Sequence, residues 1–107
     1  MALMQINVLP LGTSSPSVGE FVASIVKHLR RQGAVCRLTD MGTEVEGEAA
    51  ELLAIAARLH EIPFTKGCRR VVTQILIDDR RDKKISLGDK VESINQRLAI
   101  EADLQRA

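Results

Sequence analysis

The stretch CRRVVTQILIDD (Cys68–Asp79) is the longest strand candidate in the chain, and it decides what kind of sheet the fold contains. Successive side chains of a β-strand point to opposite faces of the sheet. Apolar residues occupy both faces of this stretch, with Val71, Ile75 and Ile77 on one and Val72 and Leu76 on the other. Because two apolar faces are typical of a strand covered on both sides, we expect packing partners on both faces of the sheet here.

Toward the N-terminus, a strand-like segment is followed by a helix-like one. Residues 2–10 alternate between apolar and mixed positions, which predicts the first strand, and apolar residues recur at helical spacing from residue 18 onward. Ser17 stands three residues before Glu20, a capping-box spacing that predicts a helix start near residue 17, and Gly33 is a suitable stop. The apolar positions are Met4, Ile6 and Val8 in the strand and Val18, Phe21, Val22, Ile25 and Leu29 in the helix.

Between the first helix and the Cys68–Asp79 strand, the pattern predicts a hairpin and a second helix. Residues 34–39 and 43–46 alternate as strands, with a turn near residues 40–42. The second helix follows Glu48 and closes at Pro63, because proline disrupts a helix interior. Its predicted apolar face consists of Ala49, Leu52, Leu53, Ala56 and Leu59.

After a charged turn at residues 78–84, Ser86 is predicted to cap a third helix, with Leu87, Val91, Ile94 and Leu98 on one face. The order β-α-β-β-α-β-α predicts an α+β fold, a ferredoxin-like βαββαβ sandwich with an additional C-terminal helix and an antiparallel four-stranded sheet. We expect residues 1–107 to form one such domain, with both main helices on one face of the sheet. The uncovered face would carry Leu3, Leu9, Val72 and Leu76.

Composition narrows the class of partner. The chain has 107 residues, a formal net charge of +1 and two aromatic residues, Phe21 and Phe64. Few rings disfavour base stacking, and a near-zero charge disfavours recruitment of nucleic acid or an anionic membrane. The N-terminus lacks a signal-peptide pattern and no apolar run approaches the ~20 residues of a membrane span. We therefore expect a cytoplasmic protein whose Cys36 and Cys68 are reduced.

Two segments suit ligand binding, and each has a plainer interpretation. The turn Gly12–Ser15 has the glycine, hydroxyls and following helix of an anion cradle, although it lacks the P-loop ending and can equally be a shaped turn. Glu46 belongs to an alternating run of glutamates and could read the charge of a cationic heterocycle. The same carboxylates could instead line a solvated strand edge and favour the helix-two dipole.

The charged run at residues 78–82 and the titratable residues elsewhere give no clear catalytic set. Alternation places Asp78 with Arg80 on one face and Asp79 with Arg81 on the other, so one of these pairs could clamp the last strand as an ion pair, or the run could be an exposed turn. Adjacent arginines lower carboxyl pKa values, which argues against a catalytic pair of carboxylates. Glu46, Asp78 and His60 match no metal-ligand spacing, and nothing orients a histidine beside either cysteine. We expect no catalytic residue, metal or cofactor.

Four blocks of the sequence resemble the thiamine-binding-protein-like family, the single-domain relatives of the YkoF thiamine-binding proteins. Their order and spacing over residues 4–98 carry the resemblance. The blocks are Pro10–Thr13 with Ser17 and Val18, Met41–Thr43 with Glu46 and Gly47, Gly67–Val71, and Ile77–Asp82 with Lys90 and Val91. The sequence departs from the family pattern at Asp40, where proline is usual, and at Glu44, where an apolar β-branched residue is usual.

The resemblance implies a ferredoxin-like fold, homo-oligomers that are often dimers of dimers and, in some members, binding of thiamine or its hydroxymethylpyrimidine moiety. It does not imply catalysis. The sequence thus predicts a non-catalytic small-molecule binder that self-associates as a dimer or homotetramer. The alternative is a ferredoxin-like regulatory or oligomerisation domain without thiamine specificity. The expected ligand-binding residues are Gly12, Thr13, Ser14, Thr39, Gly42, Thr43, Glu46 and Arg80.

Overall fold

The structure is a computed structural model that describes residues 1–13 and 18–106. Within these residues the elements are β1 (Ala2–Leu11), α1 (Gly19–Arg31), β2 (Val35–Thr39), β3 (Gly42–Gly47), α2 (Ala49–Thr65), β4 (Arg70–Asp79) and α3 (Asp89–Arg106). All strand pairs are antiparallel, and the sheet order is β2-β3-β1-β4. The predicted ferredoxin-like α+β fold with an additional C-terminal helix is confirmed.

The core lies between one face of the sheet and helices α1 and α2. On the central strand β1, every second side chain from Ala2 to Val8 is buried, as the alternation of residues 2–10 predicts. Burying aliphatic side chains contributes roughly 1.5–3 kcal/mol each, which makes this layer the main source of stability. The cluster joins Ala2, Met4, Ile6 and Val8 to Ile25, Leu29, Val45, Leu52, Ala56 and Leu59.

Helix α1 begins slightly later than predicted. Its first residue is Gly19, and Val18 is the N-cap residue without a side-chain cap. The capping role predicted for Ser17 lies outside the described residues. At the other end, Gly33 adopts a φ of 70°, the left-handed conformation that favours glycine, so the predicted stop is confirmed.

Helix α2 extends past the predicted stop, because Pro63 lies inside its last turn. Proline lacks an N–H but keeps its carbonyl, and this carbonyl accepts the N–H groups of Lys66 and Cys68 at the helix end. Leu53 was predicted on the buried face but is 54% exposed. Successive helical residues are about 100° apart, so the stripe through the buried Leu52 leaves Leu53 at its margin.

Strand β4 is an edge strand, and the expectation that both of its faces are covered is wrong for a single chain. It begins at Arg70 rather than Cys68 and pairs with β1. On the face away from the helices, Val72 is 40% and Leu76 68% exposed, because no layer of the described residues lies over them. The open face that the topology predicts therefore exists, and its apolar residues lack a partner within the chain.

Helix α3 projects from the body of the molecule. None of its residues from Asp89 to Arg106 is buried, and the molecule measures 60 × 31 × 22 Å. Its radius of gyration is 17.1 Å, whereas a compact domain of this length has about 13 Å. The predicted helix and its apolar face are present, but Val91, Ile94 and Leu98 face solvent in the single chain.

The segment before α3 and its first turn contact the open face of the sheet. Ile85 is buried, the Leu87 N–H donates to Glu46 Oε1 over 2.9 Å, and Lys90 Nζ lies 2.6 Å from Asp78 Oδ2. The helix begins after Gly88 rather than at Ser86. Instead of capping the helix, Ser86 donates its backbone N–H to the Asp89 carboxylate.

Candidate functional site

A cavity of about 610 Å³ opens between α1 and the tip of the β2–β3 hairpin, and we call it the hairpin cavity. Its floor is the end of β1, its apolar wall is the first half of α1, and its polar rim is the hairpin turn. The lining residues are Ile6, Asn7, Val8, Leu9, Val18, Val22, Ile25, Leu38, Thr39, Asp40, Met41, Gly42 and Thr43.

Hydrogen bonds from two side chains hold the turn that forms the rim. Thr39 Oγ1 donates to the Gly42 carbonyl over 2.7 Å, which closes the hairpin. Asn7 Nδ2 donates to the Met41 carbonyl over 3.0 Å, which ties the turn to the central strand. Gly42 permits this approach, since a Cβ there would lie 3.0 Å from both Asn7 Nδ2 and Gln5 Cγ.

The hairpin cavity suits a small cationic heterocycle. Among its described lining residues, Asp40 is the one charged side chain, and Thr43 is a buried polar residue that is 5% exposed. The rest of the wall is mostly aliphatic, and neither Phe21 nor Phe64 belongs to it. A ring held here would contact aliphatic side chains, with polar groups of the turn at its edge and one carboxylate to offset positive charge.

A second cavity, of about 620 Å³, lies between the end of β1 and the segment that joins α2 to β4. We call it the basic cavity because Lys66, Arg69 and Arg70 line it together with Gly12 and Thr13. The Lys66 ammonium lies 5.6 Å from the centroid of the Phe21 ring, which also lines this cavity.

Glu46 and Arg80 lie away from both cavities and already have protein partners. Glu46 projects from the open face, where it holds Leu87 near the start of α3. Arg80 makes two hydrogen bonds to Asp82, of 2.6 and 2.8 Å. These bonds lower the pKa of the exposed Asp82 carboxyl to about 2.

Of the two ion pairs that alternation allows, Asp79 with Arg81 forms, over 3.0 Å, whereas Asp78 and Arg80 have other partners. Asp78 pairs with Lys90 on α3, while Arg80 pairs with Asp82 on the adjoining turn. A link from the last strand to a neighbouring segment is therefore present, but the helix supplies its cation. Sequence alternation alone could not show this, because Lys90 is brought to Asp78 by the path of the loop.

The predicted site residues fall into separate places. Thr39, Gly42 and Thr43 meet in the hairpin cavity, and Gly12 and Thr13 line the basic cavity. Glu46 and Arg80 join neither group, and Ser14 lies outside the described residues.

Sequence reasoning missed Asp40 and Asn7 as lining residues of the hairpin cavity. For Asp40 the available signal was its position in the predicted turn, together with its departure from the family pattern. Asn7 is a polar residue on the first strand, and the alternation of that strand says nothing about which turn it meets.

His60 contacts neighbouring side chains, and the two cysteines form no disulfide. His60 Nδ1 lies 2.7 Å from the Thr73 hydroxyl, and the His60 ring packs edge-on against Phe64. Cys36 and Cys68 are free thiols. Within the part of the chain that the structure describes, no three His, Cys, Asp or Glu side chains are grouped as metal ligands, and no helix could span a bilayer.

Comparison with known proteins connects this geometry to a family. A family model described as thiamine-binding protein matches residues 4–95. UPF0045 protein YqgV of Bacillus subtilis (strain 168) is 45% identical over 102 residues, covering 92% of this chain and 98% of YqgV.

Solved structures show the same fold. The crystal structure of protein MJ1052 from Methanocaldococcus jannaschii matches with a TM-score of 0.77 at 26% identity, covering 88% of this chain and 95% of that one. A candidate thiamine biosynthesis/salvage protein from Thermotoga maritima matches with a TM-score of 0.71 at 22% identity, covering 87% and 97%. At the latter identity the likeness shows the fold alone.

Proposed function

The chain belongs to the thiamine-binding protein family, and we propose that it binds thiamine or its hydroxymethylpyrimidine moiety in the hairpin cavity, without catalysing a reaction. The observation that carries this proposal is that Asp40 is the single charged side chain among the described lining residues of the cavity. A cavity of about 610 Å³ falls within the ordinary range for small-molecule sites.

The polar groups of the rim can interact with each half of such a ligand, by charge with one and by hydrogen bonds with the other. The Asp40 carboxylate favours the positive charge of a thiazolium ring. The Thr43 hydroxyl can exchange hydrogen bonds with an aminopyrimidine, since it contains both a donor and an acceptor. The aliphatic wall formed by residues such as Val22 and Ile25 would cover the rings.

The chemistry of the described wall supports the proposal of binding without catalysis. General acid–base catalysis needs a group with a suitable pKa placed against the reacting atom, commonly with a partner that orients it. Asp40 is the only titratable side chain among the described lining residues of the hairpin cavity. The described wall thus offers the ligand a charge and hydrogen bonds, and no second acid or base belongs to that part of the cavity.

We also propose that the protein acts as a homodimer or homotetramer. The exposed side chains of Val72 and Leu76 on the sheet, together with Ile94 and Leu98 on α3, form apolar surfaces that single chains rarely leave in water. A second copy has the same surfaces and can cover them by two-fold symmetry.

The exposed apolar helix also favours a second candidate function, a regulatory or oligomerisation domain without thiamine specificity. Native mass spectrometry with and without thiamine separates the two candidates. A mass increment of one thiamine per chain supports the binding protein. A stable oligomer that takes up no thiamine supports the alternative.

The experiment for the binding proposal is calorimetric titration of the intact protein with thiamine and, separately, with hydroxymethylpyrimidine. We expect saturable binding of at least one of them with one site per chain. Absence of both heat and a thermal shift with either compound would refute the proposal.

A further inference from the structure

We propose that the basic cavity binds the phosphate group of a phosphate monoester, so that the physiological ligand is a phosphorylated form of the heterocycle held in the hairpin cavity. The identity of the heterocycle rests on the proposed function above, whereas the phosphate site rests on the residues of the basic cavity alone. The two parts can therefore fail independently.

The charge of the basic cavity is the first observation. Three of its nine described lining residues, Lys66, Arg69 and Arg70, are cationic, and none is acidic. The hairpin cavity, by contrast, contains a carboxylate and no cation among its described residues. Because the whole chain is nearly neutral, at +1, this local excess of positive charge is not a consequence of composition.

The arginines are available for a ligand. Arg69 and Arg70 are exposed and form no ion pair with a carboxylate among the described residues. By comparison, Arg80 and Arg81 are both paired with neighbouring aspartates. A guanidinium group presents a planar fork of donors that matches the oxygens of a phosphate.

Lys66 is held in position from the other side of the cavity. Its Nζ donates to the Ser24 hydroxyl of α1 and lies over the Phe21 ring. The backbone N–H groups of Gly67 and Cys68 donate to carbonyls at the end of α2. The site would therefore recognise an anion through its cationic side chains, with Lys66 as the fixed charge and the two arginines as adaptable ones.

The two cavities adjoin the same two elements, which is why we assign one ligand to both. Leu9 lines the hairpin cavity and Leu11 the basic cavity, two residues further along β1, a step of about 7 Å. On α1, Val22 lines the hairpin cavity and the adjacent Phe21 lines the basic cavity. A heterocycle joined to a phosphate by a short alkyl chain has the shape to contact both.

The test compares the intact wild-type protein with the double variant Arg69→Gln/Arg70→Gln. The matched control is Arg30→Gln/Arg58→Gln, which removes the same charge from exposed helical positions outside the basic cavity. Each protein is titrated calorimetrically with thiamine, thiamine monophosphate and inorganic phosphate. We expect wild type and control to bind the monophosphate about tenfold more tightly than thiamine, and the double variant to lose that advantage while keeping its affinity for thiamine.

Equal affinity of wild type for thiamine and its monophosphate, or an advantage that survives in the double variant, would overturn the single-ligand proposal. Inorganic phosphate tests the anion site even if no heterocycle binds, because it should bind wild type more tightly than the double variant. As a measurement that needs no variant, phosphate added to wild type should shift the amide NMR signals of Gly12 and Gly67. Shifts confined to other parts of the protein would refute the site.

Discussion

At residue 40 the hairpin turn carries an aspartate, and the structure gives this carboxylate a different role from that of Glu46. Within the alternating glutamates the sequence favours Glu46 as the charge-reading residue, because Glu44 departs from the family pattern. In the structure Glu46 accepts the N–H of Leu87, 41 positions further along the chain. A contact of that sequence separation cannot be predicted from local alternation, whereas the turn that contains Asp40 can.

Replacing each carboxylate by its amide distinguishes the two roles. Asp40→Asn should weaken binding of cationic thiamine about three- to fivefold, because an exposed charge contact contributes up to about 1 kcal/mol. Binding of the neutral hydroxymethylpyrimidine should change little. Glu46→Gln, the matched control, should leave both affinities unchanged, and calorimetry measures all four.

A selective loss of thiamine affinity in Glu46→Gln, with Asp40→Asn unaffected, would reverse this assignment. It would return the charge-reading role to the residue that the sequence favours.

Gly42 provides a second prediction at the scale of single residues. Gly42→Ala should reduce the free energy of unfolding by about 1–3 kcal/mol, because the new methyl group would crowd the Asn7 and Gln5 side chains. Urea denaturation measures the loss.

A double-mutant cycle with Asn7→Ala supplies the control for Gly42. Shortening Asn7 removes part of the crowding, so the double variant should lose less stability than the two single losses added together. Additive losses would show that Gly42 and Asn7 do not interact.

At the scale of elements, periodicity predicts the strands and helices well and their ends less well. The order of seven elements, the hairpin and the stop at Gly33 are recovered, since they depend on local pattern and turn chemistry. The start of β4, the end of α2 and the cap of α3 differ, because Pro63 and Asp89 form backbone hydrogen bonds that the pattern does not specify. The exposure of α3 likewise depends on where the tertiary fold places the helix, which periodicity does not specify.

Helix α3 should be stabilised by a second copy of the chain. Helices in proteins gain most of their stability from tertiary packing of an apolar face, and no residue of α3 is buried in the single chain. Its exposed apolar face should therefore pack in the oligomer. Ile94→Asp should dissociate the oligomer at micromolar concentration by placing a charge in that interface. The control Gln96→Asp adds the same charge about 180° around the helix and should leave assembly intact.

Sedimentation velocity provides the measurement for α3. If both variants assemble like wild type, α3 does not form the interface. If both dissociate, the added charge rather than the apolar face is responsible.

For the whole molecule, the sequence predicts the fold class but not how the turns combine into sites. Alternation and helical spacing identify which face of each element meets the core, and that is sufficient for the ferredoxin-like arrangement. The described ligand residues that the sequence predicts instead separate into the hairpin cavity, the basic cavity and two positions outside both, because loop paths rather than periodicity decide which turns meet. The open sheet face and the projecting α3 are the apolar surfaces that a second copy would cover in the proposed oligomer.

The central claim is that this chain binds a thiamine-type ligand in the hairpin cavity, and calorimetric titration of Asp40→Asn beside wild type tests it most directly. We predict saturable binding of thiamine to wild type with one site per chain, and a three- to fivefold weaker affinity in the variant. Thiamine binding that is identical in the two proteins, or wild type that binds neither thiamine nor hydroxymethylpyrimidine, would contradict this assignment.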